Sequence, residues 1–181
     1  MEEHRRKFLK MAAAATAASY SKIRGANERI RTALIGSGGR GKYVTGLANE
    51  SGLTELVAIC DVYEPRREEA RQKLAPSAQL YTDYRQVLER RDIDAVLIGA
   101  PDHWHAPMTM DAVRAGKDVY VEKPVTHSIP EGDTLIQVVR ASGRVVQVGY
   151  QQRSWEHFIL GRQIVASGKL GKVSLVLSFW Y

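Results

Sequence analysis

The feature that most limits what this chain can fold into is a glycine-rich turn set between a short apolar run and a helical pattern. In "RIRTALIGSGGRGKYVTGLANE" the run Ile30–Ile35 is bounded by Gly36, and Tyr43, Val44 and Leu47 follow at helical spacing. The pattern predicts a strand, a tight turn and a helix. Gly36, Gly38 and Gly41 fit the spacing G-x-G-x-x-G, whose glycines permit the turn, the close approach of backbone to a pyrophosphate, and tight packing of helix on strand. The helix N-terminus then offers free N–H groups and partial positive charge to the phosphates. Taken alone, these glycines also suit a surface turn. A second strand, "ELVAICD", narrows the choice, because it ends on Asp61, twenty residues after Gly41, where an acid reaches the hydroxyls of an adenosine ribose. A carboxylate there repels a 2'-phosphate, so NAD is expected over NADP, with Arg66 and Arg67 near enough in sequence to weaken that preference. The alternative role for Asp61 is a cap on the helix that begins near Glu64 and Pro65.

The alternation continues along the chain. A helix through "EPRREEARQKLA", a strand near "AQLY", a helix in "DYRQVLERR", the strand "DAVLIGA" and a helix from about 106 to 115 are followed by the strand "DVYVE", a helix across "PEGDTLIQVVRAS" and the strand "RVVQVG". Continuous apolar strands between helices imply a parallel sheet covered on both faces. The fold class expected is α/β, a doubly wound parallel sheet of Rossmann type over residues 28–150, followed by the start of a second α/β domain at 151–181. Ligands of such sheets bind beyond the carboxyl ends of the strands, which here carry "APDHWHAP", "EKP" and "GYQQRSW".

Composition excludes several other classes. The net charge of +6 owes +2 to the first eighteen residues, where Arg5, Arg6, Lys7 and Lys10 face Glu2 and Glu3, and the remaining basic residues are interspersed with acids. That is a solvated surface rather than a stripe that tracks phosphates, so no nucleic-acid partner is expected. Cys60 is the single cysteine, which leaves no intrachain disulfide and no multi-cysteine metal site. Two histidines two apart in "PDHWH" lack a third ligand nearby, so no metal is expected. The N-terminal "HRRKFLKMAAAATAAS" joins a twin arginine to a weakly hydrophobic alanine-rich run that is too short to span a membrane. It resembles a twin-arginine export signal, with Arg5, Arg6, Phe8, Leu9 and Lys10 matching and His4 departing. Residues 1–18 are read as that signal, 19–27 as a linker, and the protein is expected in the periplasm or secreted, exported folded by that machinery. A basic amphipathic helix is the alternative.

"GSGGRG", Asp61, "APDHWH", "AGKDVYVEKP" and "VQVGYQQR", in this order, resemble the Gfo/Idh/MocA oxidoreductases over about residues 28–181. The resemblance implies an NAD(P)-dependent enzyme acting on a carbohydrate or polyol. It also implies cofactor contacts from Gly36, Ser37, Gly38, Gly39, Arg40, Gly41 and Asp61, and from Ala100, Pro101, His105, Glu122, Lys123 and Gln151 at the nicotinamide end. Glu122 would bind hydroxyls of the nicotinamide ribose. Lys123 would be the catalytic residue, aimed at the substrate carbon that loses or gains hydride, polarising a carbonyl or holding an alkoxide. Pro124 fixes the local turn, through a cis bond where the turn needs one. Read without the resemblance, Glu122 and Lys123 are equally a surface ion pair. Trp104 either lines the substrate cleft or covers the domain edge, and Gln152 and Arg153 are substrate candidates or simply loop residues.

"WEHFILGRQIVASGKLGKVSLVLSFWY" reads as a helix, a glycine turn and a strand at 173–181. In the family a later helix carries an aspartate and a histidine that work with the motif lysine. Neither has a position here, and His157 comes too early, so the chain is expected to be a truncated part of a longer, homo-oligomeric protein. Three functions stay open at this point: net hydride transfer to or from a sugar or polyol, glycoside cleavage through a transient keto sugar, and a noncatalytic dinucleotide-binding module.

Overall fold

Strand β1 (Ile30–Ile35) sets the architecture, because both of its faces are covered and its side chains alternate between two cores. Ala33 and Ile35 pack with Ala58, Cys60, Val96, Ile98, Val119 and Val121 on one face. Leu34 packs with Leu56, Ile59, Ala70 and Leu97 on the other. The computed structural model describes residues 29–179. The N-terminal residues read as an export signal and linker lie outside them.

The elements follow as α1 (Gly39–Glu50), β2 (Thr54–Cys60), α2 (Glu64–Leu74), β3 (Gln79–Tyr81), α3 (Tyr84–Glu89), β4 (Ala95–Ile98), α4 (His105–Arg114), β5 (Asp118–Val121), α5 (Ile129–Ser142), β6 (Val146–Val148) and α6 (Glu156–Ala166). Single 3-10 turns occupy Asp102–Trp104 and Gln151–Ser154. The six strands form one sheet in the order β3-β2-β1-β4-β5-β6, and every pair is parallel. This is the Rossmann-type sheet expected from the alternation. Its order reverses between β1 and β4, the switch point at which such sheets open a crevice. Helices α1 and α2 cover the face of Leu34, through Val44, Ala48, Ala70 and Leu74. Helices α3 and α4 cover the other, through Val87, Leu88, Ala112 and Val113.

Register places the site. Ile35 pairs with Cys60 and with Ile98, Ile98 with Val121, and Val121 with Val148. The residues that leave these strands, Asp61, Gly36, Gly99, Glu122 and Gly149, therefore form one row along the carboxyl edge of the sheet. Gly36 in this row is a position that only glycine satisfies: its φ is +85°, and a Cβ there would stand 2.6 Å from Ala100 Cα.

The expected strand at 173–181 is not formed over its described part. Residues 171–179 join no ladder and are exposed. A strand exists by hydrogen bonding to a neighbour, and among the described residues no strand lies alongside this segment. The helix and glycine turn before it are present, with Gly168 and Gly171 at φ +73° and +68°.

Candidate functional site

The glycine turn is anchored at both ends and open in the middle. Gly36 N donates to Cys60 O at 2.8 Å, and Ser37 donates to Asp61 Oδ2 through its backbone N at 2.8 Å and its hydroxyl at 3.3 Å. Ser37 is fully buried, and Gly41 is buried where Gly99 crosses it, since a Cβ on Gly99 would meet Gly41 Cα at 2.8 Å. Both residues hold the turn from below and line neither cavity described next. Between them, a Cβ on Gly39 would meet nothing within 4 Å, and one on Gly38 would meet only Arg66 Nη1 at 3.8 Å. No side chain caps α1 and no acid occupies its first turn. The amino end of α1 is thus a bare backbone cradle that fits an anionic pyrophosphate.

Beyond it lies a cavity of about 710 Å³ along the ends of β1, β2, β3 and β4. Gly36, Gly38, Gly39, Arg40 and Asp61 form one side, Thr82, Asp83, Tyr84 and Arg85 the next, and Ala100, Pro101, Trp104 and Met108 the third. Asp61 is held firmly: Oδ2 takes the Ser37 donors, and Oδ1 accepts from Tyr63 N at 3.0 Å. It is not the cap of α2, whose N-cap residue is Tyr63. Trp104 meets Tyr84 edge to face, with ring centroids 6.4 Å apart, so it belongs to this larger cavity. The Tyr84 hydroxyl donates to Asp111 Oδ2 at 2.7 Å. Burial first, and then this bond, push its phenol up to about 12.

A second cavity of about 330 Å³ adjoins the first through Arg40, Gly99 and Ala100, and adds Asp102, His105, Glu122, Lys123 and Gln151. Glu122 is 5% exposed, and its Oε1 accepts from Arg40 Nε at 2.8 Å and from the Tyr120 hydroxyl at 2.9 Å. Lys123 is exposed beside it, with no hydrogen-bond or ion-pair partner among the described residues. The Lys123–Pro124 bond is cis. His105 is buried, its Nδ1 2.6 Å from Pro124 O and its Nε2 2.8 Å from Ala100 O, so the ring ties the loop after β4 to the turn after β5. Gln152 and Arg153 are exposed in the following 3-10 turn and line neither cavity; only Gln151 of that group reaches the smaller one.

The sequence reading missed Tyr63, Tyr84, Arg85 and Met108, and also Tyr120. The first four sit on loops and helix starts that carry no spacing motif. Tyr120 had a signal: two residues before Glu122 on a strand, it shares the same face.

Residues 30–150 match the Gfo/Idh/MocA family, described as an oxidoreductase family with an NAD-binding Rossmann fold. The chain is similar to an inositol 2-dehydrogenase of Salmonella typhimurium, 30% identical over 149 residues that make up 81% of this chain and 44% of that protein. It is also similar to a Shewanella protein named glycosyl hydrolase family 109 protein 1, 36% identical over 113 residues, 58% of this chain and 24% of that one. Among solved structures it is similar to scyllo-inositol dehydrogenase from Lactobacillus casei with bound NAD(H) and scyllo-inositol. The TM-score there is 0.72 and the identity 26%, over 81% of this chain and 44% of that one. The chain spans less than half the length of each of these relatives.

Proposed function

The chain belongs to the Gfo/Idh/MocA oxidoreductase family and carries its NAD-binding Rossmann domain, and on that premise we propose that the whole protein moves a hydride between NAD and a carbohydrate or polyol. The observation that carries this reading is the continuity of the two cavities. A bare cradle for phosphates and a carboxylate at the end of β2 lead directly to a pocket that holds a buried glutamate and a lysine with no partner among the described residues. When bound, the cofactor supplies the carbon that accepts or gives the hydride.

The residues of this chain have separate tasks. The backbone of Gly36, Gly38 and Gly39 and the start of α1 bind pyrophosphate, Ser37 and Gly41 support that turn from below, and Arg40 adds positive charge. Asp61, fixed by Ser37 and Tyr63, accepts from the adenosine ribose hydroxyls and opposes a 2'-phosphate, which favours NAD over NADP. Glu122 accepts from the hydroxyls of the nicotinamide ribose. Lys123 Nζ holds the proton that leaves or reaches the substrate hydroxyl, and Gln151 donates beside it. Ala100, Pro101 and His105 shape the wall between the two ends.

Similarity to inositol dehydrogenases makes cyclic polyols the first substrates to try. The test is a set of inositols and sugars with NAD, followed at the reduced-cofactor band at about 340 nm, for the wild type and Lys123→Met. Turnover that survives the substitution would overturn the role given to Lys123. A second reading, glycoside cleavage through a transient keto sugar, is supported by the similarity to the glycosyl hydrolase family 109 protein. It predicts release of a nitrophenol from a nitrophenyl glycoside with no net change at that band. Folded export to the periplasm remains part of the proposal, checked by finding the mature protein in the periplasmic fraction and losing it there after Arg5→Lys/Arg6→Lys.

A further inference from the structure

Tyr120 on β5 and Glu122, the residue that leaves this strand, are two apart in sequence, and the Tyr120 hydroxyl donates to Glu122 Oε1 at 2.9 Å. Arg40, in the first turn of α1, donates Nε to that same oxygen at 2.8 Å. Oε1 therefore carries two donors from two different elements, while Oε2 has no protein donor among the described residues. Glu122 is nearly buried yet forms part of the wall of the smaller cavity. The neighbouring strand end makes room for this arrangement: a Cβ on Gly149 would lie 3.0 Å from Glu122 Oε1 and closer still to the Tyr120 hydroxyl. Burial first, and then the bond to Glu122, push the Tyr120 phenol up to about 12, so it stays a neutral donor throughout the ordinary pH range.

Arginine and carboxylate left to themselves favour a two-pronged pairing that engages both oxygens. Such pairing would turn Oε2 toward Arg40 and away from the cavity. The Tyr120 hydroxyl occupies the second position on Oε1 and resists that rotation. We propose that Tyr120 is a positioning residue: together with Arg40 it fixes one oxygen of Glu122, so that the other is presented to the ribose hydroxyls at the nicotinamide end of the cofactor. The inference rests on the dinucleotide reading of the cleft given above.

The test compares two ligands on the whole protein. NADH contains the nicotinamide ribose and ADP does not, so a loss confined to NADH reads the position of Glu122, whereas general damage to the fold moves both. Tyr120→Phe is expected to weaken NADH binding by about 10- to 100-fold, as for the loss of one hydrogen bond to a charged group, and to leave ADP binding within about twofold. In a Glu122→Gln background, Tyr120→Phe should add less than about twofold, because its partner is already altered. Gly149→Ala, which keeps both side chains chemically intact but forces their contact apart, should produce the same selective loss, and it decides the matter if Tyr120→Phe does not fold. Unchanged NADH affinity, or NADH and ADP weakened in parallel, would overturn the positioning role while the cofactor reading stands. A wild-type protein that binds neither ligand would instead remove the cofactor reading, and the inference with it.

Discussion

The two compartments of the cleft meet at Arg40, Gly99 and Ala100 and are built on opposite principles. The larger is walled by glycine backbone and by rings such as Tyr84 and Trp104, and its carboxylates are answered from within the protein, Asp61 by Ser37 and Tyr63 and Asp83 by Arg85. In the smaller, Arg40, Asp102, Glu122 and Lys123 bring charge into a space less than half as large, and Lys123 has no protein partner among the described residues. The first is a surface for holding a flat, polar-edged body in place. On the proposed function, the second keeps Lys123 and one oxygen of Glu122 in reserve for something that is not protein, as a reacting centre requires.

Substitutions that separate holding from reacting test this contrast. The largest effect is expected from Lys123→Met, which should lower kcat by about a thousandfold, within the range for a lost acid–base group, while NADH affinity changes by less than about threefold. Equal loss of both would erase the distinction. Gly36→Ala should break both compartments at once. Its φ of +85° and the Ala100 backbone beside it leave no place for a methyl, so we expect a loss of about 2–4 kcal/mol in denaturant unfolding together with loss of NADH binding. Asp61→Asn puts an amide where Ser37 N–H points, and should weaken NADH by about tenfold while narrowing the preference over NADPH. Trp104→Ala should weaken NADH and ADP alike by about three- to fivefold, since its ring packs in the larger compartment. An effect on NADH alone would move Trp104 to the other side of the divide.

A separate effect concerns pH and is read in stability rather than in binding. The Tyr84 phenol is raised from 10.0 to about 12 in the folded protein, by burial and then by Asp111. The folded state therefore favours the neutral form, and the stability this contributes is complete below pH 10.0 and is lost as pH rises toward about 12. Unfolding midpoints measured across that window should fall, and Tyr84→Phe should flatten the fall.

How much of this was legible in the sequence follows from where each signal lives. The strands β1, β2, β4 and β5 declare themselves as apolar runs bounded by glycine or an acid, and parallel register does the rest, aligning Asp61, Gly36, Gly99 and Glu122 without further information. Residues tied to backbone geometry, such as Gly36 and Gly41, were legible because glycine spacing is itself the signal. The far wall of the larger compartment was not: Thr82–Arg85 enter it only because the three-residue strand β3 stops beside Cys60, and no local pattern marks that pairing. Trp104 was undecided between two roles until the turn Asp102–Trp104 set its ring against Tyr84. At 173–179 the apolar pattern suits a strand, but a ladder depends on a neighbour that local sequence does not specify.

Cys60 sits where β2 ends, 3% exposed, in the wall of the larger compartment. Burial, and after it the charges of Asp61 and Asp83, push its thiol up to about 12, so near neutral pH it is protonated and chemically quiet. Because Cys60 is the one cysteine of these 181 residues, an alkylating dye has a single address within them, and it can react there only during the moments when the sheet edge parts. The protein thus contains its own stopwatch: the labelling half-time counts how often the cleft breathes, and a bound ligand should slow the hand.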